Sequence, residues 1–373
     1  MRLRKSLLVI FALLAMIIGG GAVIGGLGDS AIIRAQDVRY FRIGTASVSG
    51  TYYSVGEVLA SLISQPPGTQ DCDASGSCEI LGLVGIAQVS EGSLDNLEAV
   101  NTGKIESGLA QADLSDWAVR GVMLFDKEER MRNIRSIATL YRESFHLVAT
   151  RTSGVASVAD LKGKRVSLDR IGSGTHAEAL LLLEAFGIGI EDIIMVQETP
   201  GRAAEMMLAG QIDAMFFVGG YPVKPVSELA FSGKVVLVPI TGAPVDKLLQ
   251  ENRFLSAEVI PADAYSPSFG DTQSLAVGAQ WIVNSAVDEK TVYWITKALW
   301  DKRNQDALLK ALPLGGRIKA DTAVHSGAVP LHPGALRYYR EAGLLPGSKP
   351  AAGRQKPMPT VAGAPPLSRT AWQ

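Results

Sequence analysis

The stretch "SVADLKGKRVSLDRIGSGTHAEALLLLEAFGI", residues 157–188, contains a complete strand–corner–helix unit. Val166–Leu168 is an apolar strand, and Gly172–Gly174 forms a small polar corner. The pair Thr175 and Glu178 is typical of a capping box, in which two side chains bond reciprocally to the first turn of a helix. The apolar run that follows predicts a helix that ends at the next glycine. Such a unit is typical of a mostly parallel sheet with helices on its faces.

The same design recurs on both sides of this unit. "GRAAEMMLAGQIDAMFFVGGYPV", residues 201–223, predicts a helix, a strand and a Gly-Gly-Tyr corner. Near the start, the strand at 38–44 runs into "SGTYYS", residues 49–54, where a helix begins. "IRSIATLYRESFHLVATRTS", residues 134–153, predicts two apolar strands around Tyr141–Glu143. The alternation of strands and helices predicts an α/β protein.

Composition limits the classes of function. The chain has 373 residues, a net charge of −1 and 47% hydrophobic residues, so it is long enough for two domains with sizeable cores. Acidic and basic residues are nearly balanced, which gives no electrostatic surface for nucleic acid. We therefore expect a globular protein that does not bind nucleic acid.

The two ends differ from the rest of the chain. Met1–Lys5 is basic and Ser6–Leu27 carries no charge, which predicts that residues 1–36 are a secretory signal peptide or a retained membrane anchor. Residues 347–373 are rich in Pro, Ala and Gly without a period, which predicts a disordered tail. We expect export to the periplasm, with membrane association through the N-terminal segment if it is not cleaved.

The chain has two cysteines, Cys72 and Cys78, in a loop rich in Gly, Ser and Asp. Two thiolates without nearby histidines cannot complete a zinc site, so no metal is expected. In an oxidising compartment we favour a disulfide between them over free thiols.

Three corners share one composition: "SGTYYS", "SEGSLDN" at 90–96 and "GSGTHAE" at 172–178. Each places Ser, Thr and Gly where a helix begins, and the first amides of a helix are unpaired donors at the positive end of its dipole. These corners either cap their helices or bind an anionic group. In an open α/β sheet such corners cluster beside the carboxyl ends of the strands, which favours a shared ligand site.

Six segments in order resemble one family. They are "IGTASVSGTYYSVGEVLA" (43–60), "VSEGSLDNL" (89–97), "GLAQADLSDWA" (108–118), "VSLDRIGSGTHAEALLLLEAFGI" (166–188), "GQIDAMFFVGGYPV" (210–223) and "VPLHPGALRYYREAG" (329–343). The chain resembles the TAXI family of extracytoplasmic solute receptors of TRAP transporters, from about Tyr40 to about Gly343. The resemblance implies no enzyme activity and no cofactor. It implies a small carboxylate solute, an amino acid or a 2-oxo or dicarboxylic acid, that is delivered to membrane permease subunits.

The resemblance also implies a periplasmic-binding-protein type II-like fold with two Rossmann-like lobes joined by a two-strand hinge. We expect lobe I at 37–148 and 240–346, with a C-terminal helix, and lobe II at 149–239. The chain should cross near His146–Arg151 and return near Val238–Thr241. Residues carried over to the ligand site are Thr45, Ser49, Gly50, Thr51, Tyr52, Ser90, Gly92, Ser93, Gln111, Asp113, Ser173, Gly174, Thr175, Gly219 and Tyr221.

Two arginines depart from the family pattern. Arg142 stands where the family usually has proline, and Arg170 lies beside the third corner. Either side chain could pair with a second carboxylate of a dicarboxylate-like solute. The alternative for Arg170 is a surface pair with Asp169 or Glu143. Tyr52 or Tyr53 could stack on the solute, and the other tyrosine is expected to pack between helix and sheet.

Three other functions are open to this sequence. An enzyme is disfavoured because the four histidines match no catalytic motif, and neither a Gly-x-Ser-x-Gly elbow nor a phosphate loop is present. A membrane-anchored sensor that signals to a partner protein would use the same ligand site. A binding domain that has lost its ligand would have the same fold but would bind no small molecule.

Overall fold

The computed structural model describes residues 38–64, 82–265, 269–325 and 327–345. The predicted disulfide between Cys72 and Cys78, the N-terminal segment and the tail at 347–373 lie outside the described residues. No described helix has both the length and the apolar character that a membrane crossing requires.

Within the described ranges, ten strands form one sheet. They are β1 (Arg39–Gly44), β2 (Leu83–Gln88), β3 (Ser107–Gln111), β4 (Ile134–Thr150), β5 (Arg165–Ser167), β6 (Ile194–Val196), β7 (Ala214–Gly219), β8 (Val235–Val238), β9 (Ser256–Ile260) and β10 (Thr272–Asn284).

In the same part of the chain, ten α-helices cover the sheet. They are α1 (Thr51–Ile63), α2 (Ser93–Asn101), α3 (Ala112–Arg120), α4 (Gly174–Ala185), α5 (Pro200–Leu208), α6 (Lys224–Phe231), α7 (Ala243–Glu251), α8 (Glu289–Trp300), α9 (Lys302–Ala311) and α10 (Pro333–Glu341). Short 3-10 helices lie at Met123–Phe125, Val158–Leu161, Ile190–Asp192, Ala262–Ala264 and Gly315–Arg317.

The two halves of the sheet repeat one topology. The first half has the order β2-β1-β3-β10-β4, in which β10 is antiparallel to both of its neighbours. In the second half the order is β6-β5-β7-β4-β8, in which β4 is the antiparallel strand. Each half is thus a parallel sheet with one reversed strand inserted near its edge. This repeated order confirms the predicted periplasmic-binding-protein type II-like fold.

Each half has a core on both faces of its part of the sheet. In the first half, α1, α8, α9 and α10 pack on one face, and α2 and α3 pack on the other. In the second half, α4 and α7 cover one face while α5 and α6 cover the other. Both halves are therefore three layers thick, with the sheet in the middle.

Strand β4 is longer than the sequence pattern indicates. The two strands predicted around Tyr141–Glu143 are one continuous strand of 17 residues. Its charged middle does not interrupt it, because neighbouring side chains of a strand point to opposite faces. Arg142 is exposed on one face, and Glu143 is buried on the other.

The chain passes between the halves on two strands. Tyr141 belongs to the first core and Phe145 to the second, so β4 crosses between them. Strand β10 crosses back, with Val277 in the second core and Ala279 in the first. The chain therefore returns to the first half later than the predicted segment at 238–241. Helix α7, which follows that segment, still packs in the second core. Strand β9 pairs with the first part of β10, before β10 reaches the first half.

Helix α1 lies close against strand β2. A Cβ atom added at Gly85 would lie 2.5 Å from the carbonyl oxygen of Ala60 and 2.7 Å from its Cα atom. Both are backbone atoms of a packed helix, so the contact cannot be relieved by a side-chain rotation. We expect Gly85→Ala to lower the free energy of unfolding by about 1–3 kcal/mol, measured by urea denaturation. Gly270→Ala is the control, since nothing lies within 4 Å of its added Cβ; equal midpoints for the two variants would contradict the prediction.

Candidate functional site

The carboxyl ends of the parallel strands of both halves face one small cavity. Strand β1 leads to α1, β2 to α2, and β5 to α4, and each of these helices begins beside the cavity. The cavity has a volume of about 40 Å³, enough for one or two water molecules. The two halves are therefore closed on each other around a nearly filled space.

Most predicted corner residues line this cavity. Those that do are Gly50, Thr51, Tyr52, Gly92, Ser93, Gln111, Arg170, Ser173, Gly174 and Thr175. The cavity is also lined by residues that were not predicted as ligand residues: Ala46, Ser47, Glu91, Glu143, Asp169, Thr199, Pro200, Phe217 and Val218. Both halves contribute to each group.

Other predicted residues lie behind the wall and hold the loops. The Thr45 hydroxyl donates to the Gln88 carbonyl at 2.7 Å. Ser90 Oγ donates to the Thr45 carbonyl at 3.0 Å, which ties the first two corners together. Ser49 Oγ accepts a bond of 3.1 Å from the Gly201 amide in the other half. These three hydroxyls shape the site without lining it.

At the Gly-Gly-Tyr corner the structure differs from the prediction. Phe217 and Val218 line the cavity, whereas Gly219 and Tyr221 do not. Tyr221 lies under the guanidinium of Arg317, which is 3.7 Å from its ring centre. The strand β7 continues to Gly219, so its last side chains reach the cavity before the corner is formed.

Backbone contacts across the halves close the site. The Gly172 carbonyl accepts a bond of 3.0 Å from the Leu94 amide. Gly92 has φ +127°, and a Cβ there would lie 3.1 Å from the Cα of Ser173. Only glycine combines this backbone conformation with so close an approach. The second corner thus touches the third directly.

The third corner begins its helix differently from the predicted capping box. The N-cap is Ser173, whose Oγ accepts a bond of 3.0 Å from the His176 amide. Glu178 does not reach back to the cap; it is 1% exposed, and neither carboxyl oxygen has a hydrogen-bond partner among the described residues. Its neighbour is Asp113, at the start of α3 in the first half.

Asp113 is a predicted ligand residue that the structure buries behind the cavity. One oxygen accepts from the Leu114 amide at 2.8 Å, and the other has no partner among the described residues. Burial raises the pKa of Asp113 and raises the pKa of Glu178 well above its usual range, and the Asp113 charge adds to the second effect. Two carboxyl groups from opposite halves therefore meet without a cation.

Glu143 lines the cavity from the hinge strand β4 and is 1% exposed. Its Oε2 accepts a hydrogen bond of 2.8 Å from the Tyr52 hydroxyl. Burial raises the pKa of Glu143 to about 8; the bond from Tyr52 opposes this shift and the nearby Asp113 adds to it. Tyr52 is thus a cavity residue that positions a carboxyl group, whereas Tyr53 is only half-buried and lies outside the cavity.

Neither arginine is free to take a carboxylate in this closed state. Arg170 Nε donates to Glu91 Oε2 at 2.6 Å, a pair between the halves rather than with Asp169 or Glu143. Arg142 lies away from the cavity and pairs with Glu258 at 3.1 Å. Strand alternation explains its position, since its neighbour Glu143 faces the cavity. Arg142, which the sequence offers as a possible carboxylate partner, therefore does not line the cavity in this structure.

The buried histidines have structural contacts. His146 Nε2 lies 2.8 Å from the Tyr265 hydroxyl, and burial lowers the pKa of His146 to about 4. His332 Nδ1 accepts from the Gly334 amide at 3.2 Å and caps α10. Both imidazoles are therefore held by contacts within the protein.

Several solved structures have a similar chain path at low identity. The alkanesulfonate-binding protein SsuA from Xanthomonas axonopodis pv. citri, bound to MOPS, is 18% identical, with a TM-score of 0.41 over 76% of this chain and 82% of that one. MatC from Rhodopseudomonas palustris, with bound malate, is 15% identical, with a TM-score of 0.47 over 74% of this chain and 89% of that one.

Family membership rests on a match along most of the sequence. The NMT1-like family matches residues 43–343, a range that begins in β1 and ends just after α10. It includes all the corners that meet at the cavity. The protein is therefore a member of the NMT1-like family.

Proposed function

We propose that the protein is an extracytoplasmic solute receptor that encloses a small carboxylate between its two halves. Within the NMT1-like family we assign it to the TAXI receptors, which deliver a solute to a TRAP-type membrane permease. The proposed location is the periplasm, with residues 1–36 as the export signal or as an anchor in the inner membrane.

One observation carries this proposal: the Ser- and Gly-rich corners of both halves meet at one small cavity between them. Helix α4 starts there at Gly174, and α2 starts there at Ser93. Unpaired amides and small hydroxyls at helix starts favour an anionic group. A protein that only capped its helices would not need these corners to converge.

The two halves also have the connection that closure requires. Only β4 and β10 pass between the cores within the described residues. We propose that rotation about these two strands opens the cavity, releases the pair of Arg170 with Glu91, and admits the solute. We place the boundary between the proposed lobes where the chain crosses between the halves, near Arg142 in β4 and near Gly278 in β10. These two residues are paired in the antiparallel β4–β10 pair.

Solute retained by the protein is the most direct test. We expect the full chain, purified from its native host and gently unfolded, to release a small molecule with at least one carboxylate, identified by mass spectrometry. Adding that molecule at a hundred times its Kd should stabilise the folded state by about 2.7 kcal/mol, seen as a higher melting temperature. Release of a lipid or an uncharged sugar would contradict the proposal.

The partner separates transport from sensing. We expect crosslinking of the solute-loaded receptor in membranes to capture permease subunits. Capture of a signalling kinase in their place would assign the same cavity to a sensor.

A further inference from the structure

The charged side chains of the cavity do not suit a dicarboxylate. The charged lining residues are Glu91, Glu143, Asp169 and Arg170. The only cation among them, Arg170, is bound to Glu91. Glu143 and Asp169 are then left as acidic groups at the cavity wall.

Glu143 has no cationic partner among the described residues. The groups that face it are the hydroxyls of Tyr52 and Tyr141 and the carboxyls of Asp113 and Glu178. A buried carboxylate without a cation is costly and a neighbouring carboxylate increases that cost, so Glu143 is held protonated until a positive group lies beside it. The cavity wall at Glu143 therefore favours a positive group of the solute.

Polar side chains connect Glu143 to the start of α4. A row of polar contacts runs from Glu143 to Tyr52, from Tyr52 to Ser93 Oγ at 3.5 Å, and from Ser93 Oγ to Gln111 Oε1 at 3.1 Å. Gln111 in turn lies against Gly174, the first residue of α4. The row thus has an acidic group at one end and the start of a helix at the other.

We propose that the enclosed solute carries an ammonium group that binds to Glu143, so that the receptor selects α-amino acids over 2-oxo and dicarboxylic acids. The solute carboxylate lies toward the start of α4, as in the proposed function on which this inference rests. A second carboxylate would add a negative charge beside the buried carboxyl groups of Glu143, Asp113 and Glu178, whereas an ammonium group pairs with the ionised carboxylate of Glu143.

Binding should also release a proton. The raised pKa of Glu143 keeps its carboxyl mostly protonated near pH 7 in the empty closed protein. An ammonium group binds the ionised carboxylate more strongly, so the proton leaves as the solute enters. A role in packing alone would not produce this release.

The test compares matched ligands on the full chain. The twenty common L-amino acids, and the 2-oxo acid and deaminated acid of each one that binds, are titrated by calorimetry at pH 7 in two buffers of different ionisation enthalpy. We expect at least one amino acid to bind at least a hundredfold more tightly than its 2-oxo acid, with proton release. In Glu143→Gln the preference should fall below tenfold and the proton release should disappear. Glu258→Gln, on the outer face of the hinge, is the control and should change neither.

The outcomes separate this inference from the proposed function. Equal or tighter binding of a 2-oxo or dicarboxylic acid overturns the inference and leaves the receptor function in place. Failure of every amino acid to bind overturns it as well. If no small molecule binds and none is released on unfolding, the proposed function fails too. The ligand comparison on the unmodified protein decides the matter even if Glu143→Gln does not fold.

Discussion

Valine at position 174 should abolish solute binding while the protein remains folded. A Cβ atom at Gly174 would overlap the side-chain amide of Gln111 in the other half and lie 2.7 Å from Ser93 Oγ. The Gln111 side chain would have to leave its place before the halves could close as they do here, and the added atoms would take up space in the cavity. We expect affinity for the released solute to fall at least a hundredfold, which is a loss of about 2.7 kcal/mol, measured by calorimetry.

The control for this variant is Gly270→Val. Position 270 has open space around the added Cβ, and it is not near the cavity. Both variants should melt within a few degrees of the unmodified apo protein, because valine at 174 disturbs closure rather than either core. If Gly174→Val binds the solute as tightly as the unmodified protein does, then the contact between α4 and Gln111 seen here is not present when the solute is bound.

Glutamine at position 178 should stabilise the protein above neutral pH. The carboxyl of Glu178 is buried next to Asp113, and its pKa is raised in the folded state. A carboxyl group whose pKa is raised by folding binds its proton more tightly in the folded state than in the unfolded state. The free energy of unfolding then decreases as pH rises above the pKa that this group has in the unfolded chain, by up to about 1.4 kcal/mol per proton and pH unit. The contribution of Glu178 to the free energy of unfolding should therefore fall from pH 5 to pH 8.

Glu178→Gln removes one of these protons and supplies an amide that can donate to Asp113. We expect the variant to exceed the unmodified protein by about 2 kcal/mol at pH 8 and to show a flatter pH dependence, measured by urea denaturation. Glu184→Gln, on the exposed side of the same helix, is the matched control. Parallel pH profiles for the unmodified protein and Glu178→Gln would rule out the buried pair as the cause.

The sequence predicts the fold and the convergence of the corners because both depend on local patterns. Small residues at strand-to-helix corners can be identified directly from the sequence. A parallel sheet then places these corners together, at the carboxyl ends of its strands. Gly92, Ser93, Ser173 and Gly174 are found at the cavity for this reason.

Burial of charge could not be predicted in the same way. Glu178 fits the pattern of a capping box, yet Ser173 caps the helix and Glu178 is buried beside Asp113 at the start of α3. The position of Arg142 depends on the continuity of β4, because the phase of a strand decides which neighbour faces the cleft. If residues 134–150 are taken as one continuous strand whose side chains alternate between two faces, Glu143 and not Arg142 is the residue that faces the cavity.

The return crossing was missed for a similar reason. The segment after Val238 has a helix and two strands that could belong to either half, and local pattern does not say which core they join. Pairing of β9 with β10 places them with the second half. Such pairing between distant segments is a property of the whole chain.

Strand β10 lies between β3 and β4 in the sheet, although the chain reaches it more than a hundred residues after β4 begins. Until residue 284 has been synthesised, β3 and β4 each have an open edge with unpaired backbone groups. The earlier segments cannot complete their native ladder during that interval. Assembly of the sheet is thus delayed until the last third of the chain is present, and the open edges of β3 and β4 can mispair in the meantime.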